Sequence, residues 1–234
     1  MLNYVSGNDC FCHLKYSTSG NGTMGKDLLK LYKQYLNKAL STEAYVPMSA
    51  SDFNKGLDHI LDFLDVAVKL FCEKNYNIPV FLAITAMEEK VKLEIHIYCS
   101  HPPKADGVLN KTGGKKRGAL YDHKTKHALA PSPVISIGDR LKKAIGDARQ
   151  KELLEQSLKY GFTKEREGAL YIEFKEDGKI VFPKEAITRK TARDFILFAI
   201  EVIDDGLVGY TEYSLNEISS RLDYLWNMVC EEKE

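Results

Sequence analysis

The spacing of apolar residues divides much of the chain into segments with a helical period. Apolar side chains recur every three or four positions over residues 27–40 and 52–72, which predicts two amphipathic helices near the N-terminus. The same spacing over residues 137–158 predicts a third helix. Two further stripes, over residues 192–203 and 214–229, predict a helical C-terminal region.

Other segments show the patterns expected of strands. Residues 8–18 are predicted as one strand. In residues 79–98 a short apolar run is followed by strict alternation of apolar and polar residues, which predicts a hairpin. Residues 169–182 alternate on both sides of a Glu-Asp-Gly turn and predict a second hairpin. We therefore expect an α+β fold, with a small mixed or antiparallel sheet built from two hairpins and flanked by about five helices.

Residues 101–132 show no period and are predicted as a long loop. We treat residues 1–234 as a single domain, because two isolated two-stranded hairpins are marginally stable and gain stability in one sheet. A division near residue 131, at a Pro-Ser-Pro sequence, is the alternative. Ser214 and Glu217 have the spacing of a capping box, which predicts the start of the last helix. Its apolar stripe is about two heptads long, which favours packing within the fold over a coiled coil.

Composition is balanced in charge, with 33 Lys and Arg residues against 33 Asp and Glu residues. A polyanionic partner would therefore have to be attracted by a local patch rather than by the net charge. No apolar run approaches the ~20 residues that span a bilayer, and the N-terminus lacks the pattern of a secretory signal. The five cysteines are scattered, which is typical of reduced thiols. We expect a cytoplasmic protein without membrane contact.

The long loop carries the densest positive charge. Between residues 101 and 130, seven Lys and Arg residues face only Asp106 and Asp122. Glycines there allow a close backbone approach and Tyr121 offers a stacking face, so this basic loop suits the phosphates of a nucleic acid. A solvated loop with no ligand has the same composition. The residues predicted to contact nucleic acid are Lys111, Lys115, Lys116, Arg117, Lys124 and Lys126.

A glycine-rich segment before the first helix resembles a phosphate-binding loop in its spacing. The predicted phosphate-binding residues are Gly20, Gly22, Gly25 and Lys26. The next position departs from the pattern, because Asp27 stands where such loops carry the Ser or Thr that binds Mg²⁺. A turn followed by a helix start explains the same residues without a ligand.

Glu173 and Lys175 lie on one face of a predicted strand, downstream of Glu165 and Glu167. Many metal-dependent nucleases pair a carboxylate that binds the metal with a lysine that stabilises the developing charge. The arrangement resembles the PD-(D/E)xK nucleases in these positions only, since no Pro-Asp pair precedes it. If the resemblance holds, Glu173 and Lys175 are catalytic. Cross-strand charge pairing on an exposed strand is the alternative explanation.

Metal-binding residue types occur without the spacing of a standard zinc site. His123 and His127 form half of a site, and the Cys10-x-Cys12-His13 segment lacks a matched partner pair. We therefore predict no closed zinc site and assign no metal-ligating residue, and the sequence leaves any cofactor unknown.

Three functions remain open from the sequence. The first is a polyanion-binding protein that contacts a nucleic-acid backbone through residues 104–127. The second is a protein without chemistry of its own, an interaction or inhibitor protein that meets a protein partner or another copy of itself. The third is a metal-dependent nuclease that uses Glu173 and Lys175. Any site assembled from residues distant in sequence is invisible at this stage.

Overall fold

The structure, a computed structural model, describes residues 26–42, 48–98, 118–131 and 139–231. It is mostly helical. The helices are α1 Lys26–Thr42, α2 Ala50–Cys72, α3 Asn77–Tyr98, α4 His123–Leu129, α5 Asp139–Ile145, α6 Asp147–Lys159, α7 Thr163–Gly168, α8 Pro183–Ala186, α9 Arg189–Leu207 and α10 Ser219–Glu231. The strands are β1 Glu173–Phe174 and β2 Ile180–Val181. A 3₁₀ turn at Ala119–Tyr121 precedes α4, and a π-helical turn at Ser214–Ile218 precedes α10.

Helix α3 lies at the centre of the fold. It packs along α2 on one side and along α9 on another, and α4 and α7 contact it as well. No residue from 77 to 97 is exposed. The side chains of Leu57, Ile84 and Phe198, from α2, α3 and α9, are fully buried in one apolar cluster. Burial of such side chains supplies the main stabilisation of a bundle of this kind.

The predicted α+β fold class is wrong, because residues 79–98 form α3 rather than a hairpin. A helix that is covered on several sides needs no polar stripe, so its sequence shows no clear helical period. Polar residues of α3, including Lys90 and Glu94, are buried with the apolar ones. From Val91 onward, Glu94 and other polar residues stand between apolar ones, which produced the alternation that is typical of a strand.

The second predicted hairpin is present but short. β1 and β2 pair antiparallel, with Glu173 opposite Val181 and Phe174 opposite Ile180. This hairpin is the whole sheet within the described part of the chain. The predicted strand over residues 8–18 lies outside the described residues.

The predicted helices 27–40 and 52–72 are confirmed as α1 and α2. Residues 137–158 contain two helices, α5 and α6, divided at Gly146, whose φ of 89° interrupts a helix. Part of the predicted long loop is helical, since residues 119–129 form the 3₁₀ turn and α4. Across the described ranges, every helix is too short or too polar to span a membrane.

The predicted capping box is displaced by one turn. The Ser214 backbone N–H donates to Thr211 Oγ1 at 3.0 Å, and the Thr211 N–H donates to Ser214 Oγ at 3.0 Å. This reciprocal pair satisfies two N–H groups at the helix start. Thr211 and Ser214 therefore form the box that Ser214 and Glu217 were predicted to form.

Candidate active site around Glu88

A single buried carboxylate on α3 collects side chains from α4 and α7. Glu88 Oε2 accepts a hydrogen bond from Lys126 Nζ at 2.5 Å. Glu88 Oε1 lies 2.8 Å from His127 Nε2 and 2.7 Å from His123 Nδ1. Arg166 Nε lies 3.6 Å from the same oxygen. We call these five residues the Glu88 cluster.

The donors of the cluster keep Glu88 ionised. Burial raises the pKa of this carboxyl. The hydrogen bonds from His127, Lys126 and His123 and the charge of Lys126 lower the pKa by more than burial raises it. The net result is a pKa of about 2, below the ordinary value of 4.5. Glu88 is therefore a carboxylate at every physiological pH, and it can only accept hydrogen bonds.

The imidazole of His127 is fixed in one protonation form. The Phe162 backbone N–H donates to His127 Nδ1 at 2.9 Å, so Nδ1 carries no proton. The proton of the neutral ring therefore lies on Nε2, which donates it to Glu88. The ring is fully buried and packs against the Phe162 ring, with 5.7 Å between centroids. His127 acts as a neutral hydrogen-bond donor that positions Glu88.

The segment after α6 is shaped to reach this imidazole. Gly161 has a φ of 74°, and a Cβ at this position would lie 3.1 Å from His127 Nδ1 and 3.6 Å from the Cα of Lys124. Both constraints favour glycine here. The Ser157 hydroxyl, on α6, donates to the His127 carbonyl oxygen. The end of α6 and the residues that follow it therefore hold α4 against α3.

The other end of α4 is fixed by its N-cap and by α1. The Asp122 side chain accepts a hydrogen bond from the Lys124 backbone N–H at 3.2 Å. Lys38 Nζ lies 3.3 Å from the Asp122 carboxylate and 3.3 Å from Thr125 Oγ1. Contacts from three other helices thus fix the helix that carries His123, Lys126 and His127.

His123 is the most exposed member of the cluster. Its side chain is 45% exposed, compared with 24% for Arg166 and 5% for Lys126. Because Nδ1 donates to the Glu88 carboxylate, the other ring nitrogen, Nε2, keeps a lone pair in the neutral ring. The Arg166 guanidinium carbon lies 4.9 Å from the centroid of the Phe81 ring. A base and a cation therefore stand together at a partly exposed site.

The cluster also contains atoms that could bind a metal ion. One ligand atom each from Glu88, His123 and His127 lies within 4.8 Å of the others. Coordination through His127 Nε2 would move its proton to Nδ1, where it would meet the Phe162 N–H. The Lys126 ammonium, 2.5 Å from the carboxylate, would also repel a cation. The donor set does not fit a metal and fits proton transfer instead.

A second buried ionic group lies next to the cluster on α3. Lys90 Nζ lies 2.6 Å from Glu94 Oε2 and donates to the Ala130 carbonyl at 3.2 Å, directly after α4. Neither charged side chain is more than 3% exposed. Lys90 thus donates to a carbonyl at the C-terminal end of α4, while Glu88 accepts hydrogen bonds from side chains of α4.

The structure places only some of the residues predicted from the sequence. Lys124 is exposed, whereas Lys126 is buried against Glu88. Glu173 and Lys175 are exposed on the hairpin, and neither is among the groups that contact Glu88. Lys26 is the first residue of α1. The predicted residues outside the described ranges are Lys111, Lys115, Lys116, Arg117, Gly20, Gly22 and Gly25. Their roles stay predictions.

Sequence reasoning missed Glu88 and Arg166 as members of a site. Glu88 begins a short charged segment after an apolar run, and this segment was interpreted as a hairpin turn. The sequence pattern pairs His123 with His127 only as half of a zinc site and Lys126 only with a nucleic acid, in a segment predicted as a loop. With α4 recognised as a helix, their spacing of three and four residues would have placed them on one face. A buried carboxylate would then have been needed opposite that face.

Residues 54–204 match a family model named HEPN_AbiV and described as AbiV. The matched region is more than half of the chain and contains the whole Glu88 cluster. No curated protein and no solved structure matches the chain.

Proposed function

Because the chain belongs to the AbiV family of HEPN domains, we propose that it is a ribonuclease whose active site is the Glu88 cluster. HEPN domains act on RNA. The observation that carries the proposal is the pairing of the buried Glu88 carboxylate with the partly exposed His123 imidazole at 2.7 Å. A carboxylate that holds a histidine in this way orients it for proton transfer and stabilises its charged form.

In the proposed reaction His123 is the general base. Its Nε2 takes the proton of a ribose 2′-hydroxyl, and the 2′ oxygen attacks the adjacent phosphorus. The bond between phosphorus and the 5′ oxygen breaks, and the leaving 5′ oxygen takes a proton from water. The hydroxide that remains takes the proton from His123 Nε2, which restores the base. The products are a 2′,3′-cyclic phosphate and a 5′-hydroxyl end. Glu88 keeps the proton of His123 on Nδ1, so that Nε2 faces the substrate as a base.

The cations of the cluster have two separate tasks in this mechanism. Arg166 is partly exposed, and its guanidinium can donate to the phosphate oxygens as negative charge develops on them. Lys126 is buried on the far oxygen of Glu88 and neutralises that carboxylate. Without Lys126, the charge of Glu88 would repel the phosphate. The exposed Lys124 adds a contact for a neighbouring phosphate.

The test is cleavage of a labelled RNA oligonucleotide by the full chain in the presence of EDTA. We expect His123→Ala to lower the rate by about 100-fold or more, the usual contribution of a general base. His59→Ala is the matched control, because His59 is an exposed histidine on α2 outside the cluster. RNA with a single deoxyribose at the cleavage position should resist cleavage there. The products should carry a cyclic phosphate.

Other outcomes would favour the earlier hypotheses. Cleavage that EDTA stops, and that Glu173→Ala abolishes while His123→Ala does not, would assign the activity to Glu173 and Lys175. Salt-sensitive binding without cleavage would favour a polyanion-binding protein that uses the basic loop. Neither binding nor cleavage of RNA would favour an interaction or inhibitor protein.

We also propose that the chain forms a homo-oligomer, since HEPN domains often dimerise. Size-exclusion chromatography with light scattering tests this directly. A monomeric mass at high protein concentration would contradict it.

A further inference from the structure

The hairpin of β1 and β2 carries an apolar face that stays exposed in the described part of the chain. Every residue from 171 to 180 is exposed. Phe174 lies opposite Ile180, and side chains two positions away on each strand share their face. The four large apolar side chains of this face are 44–76% exposed: Ile172, Phe174, Ile180 and Phe182. A contiguous apolar patch of this kind is typical of an interaction surface.

The outer edge of β1 is open to a further strand. The Lys175 N–H donates to the Lys179 carbonyl at 2.9 Å, so this pair is hydrogen-bonded across the hairpin. Bonded and non-bonded pairs alternate along an antiparallel ladder, so the backbone N–H and C=O of Phe174 point away from β2. Across the described ranges the sheet ends at β1, and these groups therefore have no strand to pair with.

The outer edge of β2 is closed where the strand ends. The Phe182 carbonyl already accepts hydrogen bonds from the N–H groups of Glu185 and Ala186, both at 3.0 Å. The next residue, Pro183, has no N–H to donate. A strand that extends this sheet therefore adds beside β1.

Two charged side chains of β1 have no opposite charge across the hairpin. Glu173 lies opposite the apolar Val181. Lys175 lies opposite Lys179, which carries the same charge. Like charges that face each other across a strand pair are unfavourable, whereas opposite charges are stabilising. The hairpin alone therefore leaves one carboxylate and one ammonium group available on its open edge.

We propose that two copies of the chain pair through β1, edge to edge and antiparallel, and form a four-stranded sheet. In the register centred on Phe174, Glu173 of each copy lies opposite Lys175 of the other, so two ion pairs form. The two Phe174 rings face each other on the apolar side, where an aromatic pair adds stability. A register centred on Glu173 would instead place two carboxylates opposite each other.

The charges of this edge favour a second copy over a different protein. An edge whose charges pair with themselves about a two-fold axis is self-complementary, as a symmetric dimer requires. Glu173 and Lys175 have opposite signs, so neither an acidic nor a basic partner would match both. This inference rests on the proposed homo-oligomer and adds its contact surface. It does not depend on the proposed ribonuclease activity.

Charge reversal in the full chain tests the pairing. Glu173→Lys and Lys175→Glu should each weaken self-association by about tenfold or more, because two attractive pairs become two repulsive ones. An equimolar mixture of these two variants should associate like the wild type, since the lysines of one copy then meet the glutamates of the other. Glu212→Lys is the control, a charge reversal at an exposed residue outside the hairpin.

Size-exclusion chromatography with light scattering, at a series of protein concentrations, measures the association. Phe174→Ser should weaken it as well, whereas Tyr224→Ser, at a 62% exposed tyrosine on α10, should not. Single charge variants that associate as tightly as the wild type, or a mixture that stays monomeric, would overturn the β1 pairing but leave the homo-oligomer proposal standing. A monomeric wild type would overturn both. No result here depends on RNA cleavage, so failure of the ribonuclease proposal is seen separately.

Discussion

The Phe162 backbone N–H donates to Nδ1 of His127 across 2.9 Å, and this bond links the start of α7 to the protonation form of a histidine in the Glu88 cluster. A backbone amide is always a donor, so it decides which imidazole nitrogen can carry a proton. The consequence extends to Glu88, which receives its hydrogen bond from Nε2 only because Nδ1 is occupied as an acceptor.

We predict that the uncharged imidazole of His127 carries its proton on Nε2 in the folded protein. In ¹⁵N-labelled protein at pH 8, its Nδ1 should resonate as an unprotonated nitrogen and its Nε2 as a protonated one, with the signals assigned by their loss in His127→Asn. Added Zn²⁺ should leave these signals in place, because the tautomer does not offer Nε2 to a metal. A protonated Nδ1, or a shift of Nε2 on metal addition, would contradict the assignment.

Glu88 should make the stability of the fold depend on pH in the acid range. Its pKa is about 2 in the folded chain, against an ordinary value of 4.5, so its contribution is fully present above about pH 4.5 and is lost as the pH falls towards 2. This difference between the two pKa values corresponds to about 3 kcal/mol in the free energy of unfolding. Glu88→Gln should therefore lower the free energy of unfolding by about 3 kcal/mol at pH 7 and by much less near pH 2.

Urea unfolding at several pH values measures this effect. Glu89→Gln is the matched control, because its partly exposed pair with Lys92 should contribute less than about 1 kcal/mol. Lys126→Met in the Glu88→Gln background should recover part of the loss, since the first change leaves the buried Lys126 unpaired. Equal pH dependence in wild type and Glu88→Gln would refute the assigned role of this carboxylate.

The apolar periodicity of the sequence correctly predicted the helices on the outside of the fold, but it did not predict the central helix α3. Helices α1 and α2 each have one apolar stripe, and this periodicity located them. Helix α3 is covered by neighbours, and part of its length alternates like a strand. Periodicity measures one-sided burial, so it fails for an element that is buried on several sides.

The candidate site was hidden for a related reason. His123 and His127 were recognised as metal-ligand types, but their partner, Glu88, is 35 residues away from His123 along the chain. No local rule connects them, and the bond forms only because α4 packs on α3. Lys126 was predicted to face a nucleic acid and is instead buried, because pairing with Glu88 offsets the cost of burying its charge.

Gly206 on α9 is required for close packing against α3. A Cβ at this position would lie 2.3 Å from Cε of Lys90 and 2.6 Å from its Nζ. Lys90 cannot easily move aside, because it is fully buried and bound to Glu94 and the Ala130 carbonyl. Gly206→Ala should therefore lower the free energy of unfolding by about 1–3 kcal/mol, the usual cost of overpacking.

The control for this change is Gly168→Ala, since a Cβ at Gly168 meets no atom within 4 Å. Thermal unfolding of both variants compares them directly. We expect a lowered melting temperature for Gly206→Ala and a nearly unchanged one for Gly168→Ala. Equal melting temperatures would mean that Lys90 relaxes without cost.

Asp205, next to Gly206, should destabilise the fold at alkaline pH. Burial, together with the charges of Glu201 and Asp204, raises the pKa of its carboxyl to about 7, and its Oδ2 is buried without a hydrogen-bond partner among the described residues. The unfolded chain loses this proton near pH 4 and the folded chain near pH 7, so stability falls as the pH rises between the two values.

Asp205→Asn removes this cost and should stabilise the protein at pH 8 by about 2 kcal/mol, a value discounted for partial exposure of the side chain. Below about pH 4 the variant and the wild type should be equally stable, because the carboxyl is then protonated in both the folded and the unfolded chain. Asp62→Asn is the control, since that side chain is 72% exposed and should change stability little at either pH. Guanidinium unfolding at pH 4 and pH 8 measures the free energy of unfolding of the variants and the wild type. If Asp205→Asn is less stable than the wild type at pH 8, the Asp205 carboxylate is paired in solution and the prediction is wrong.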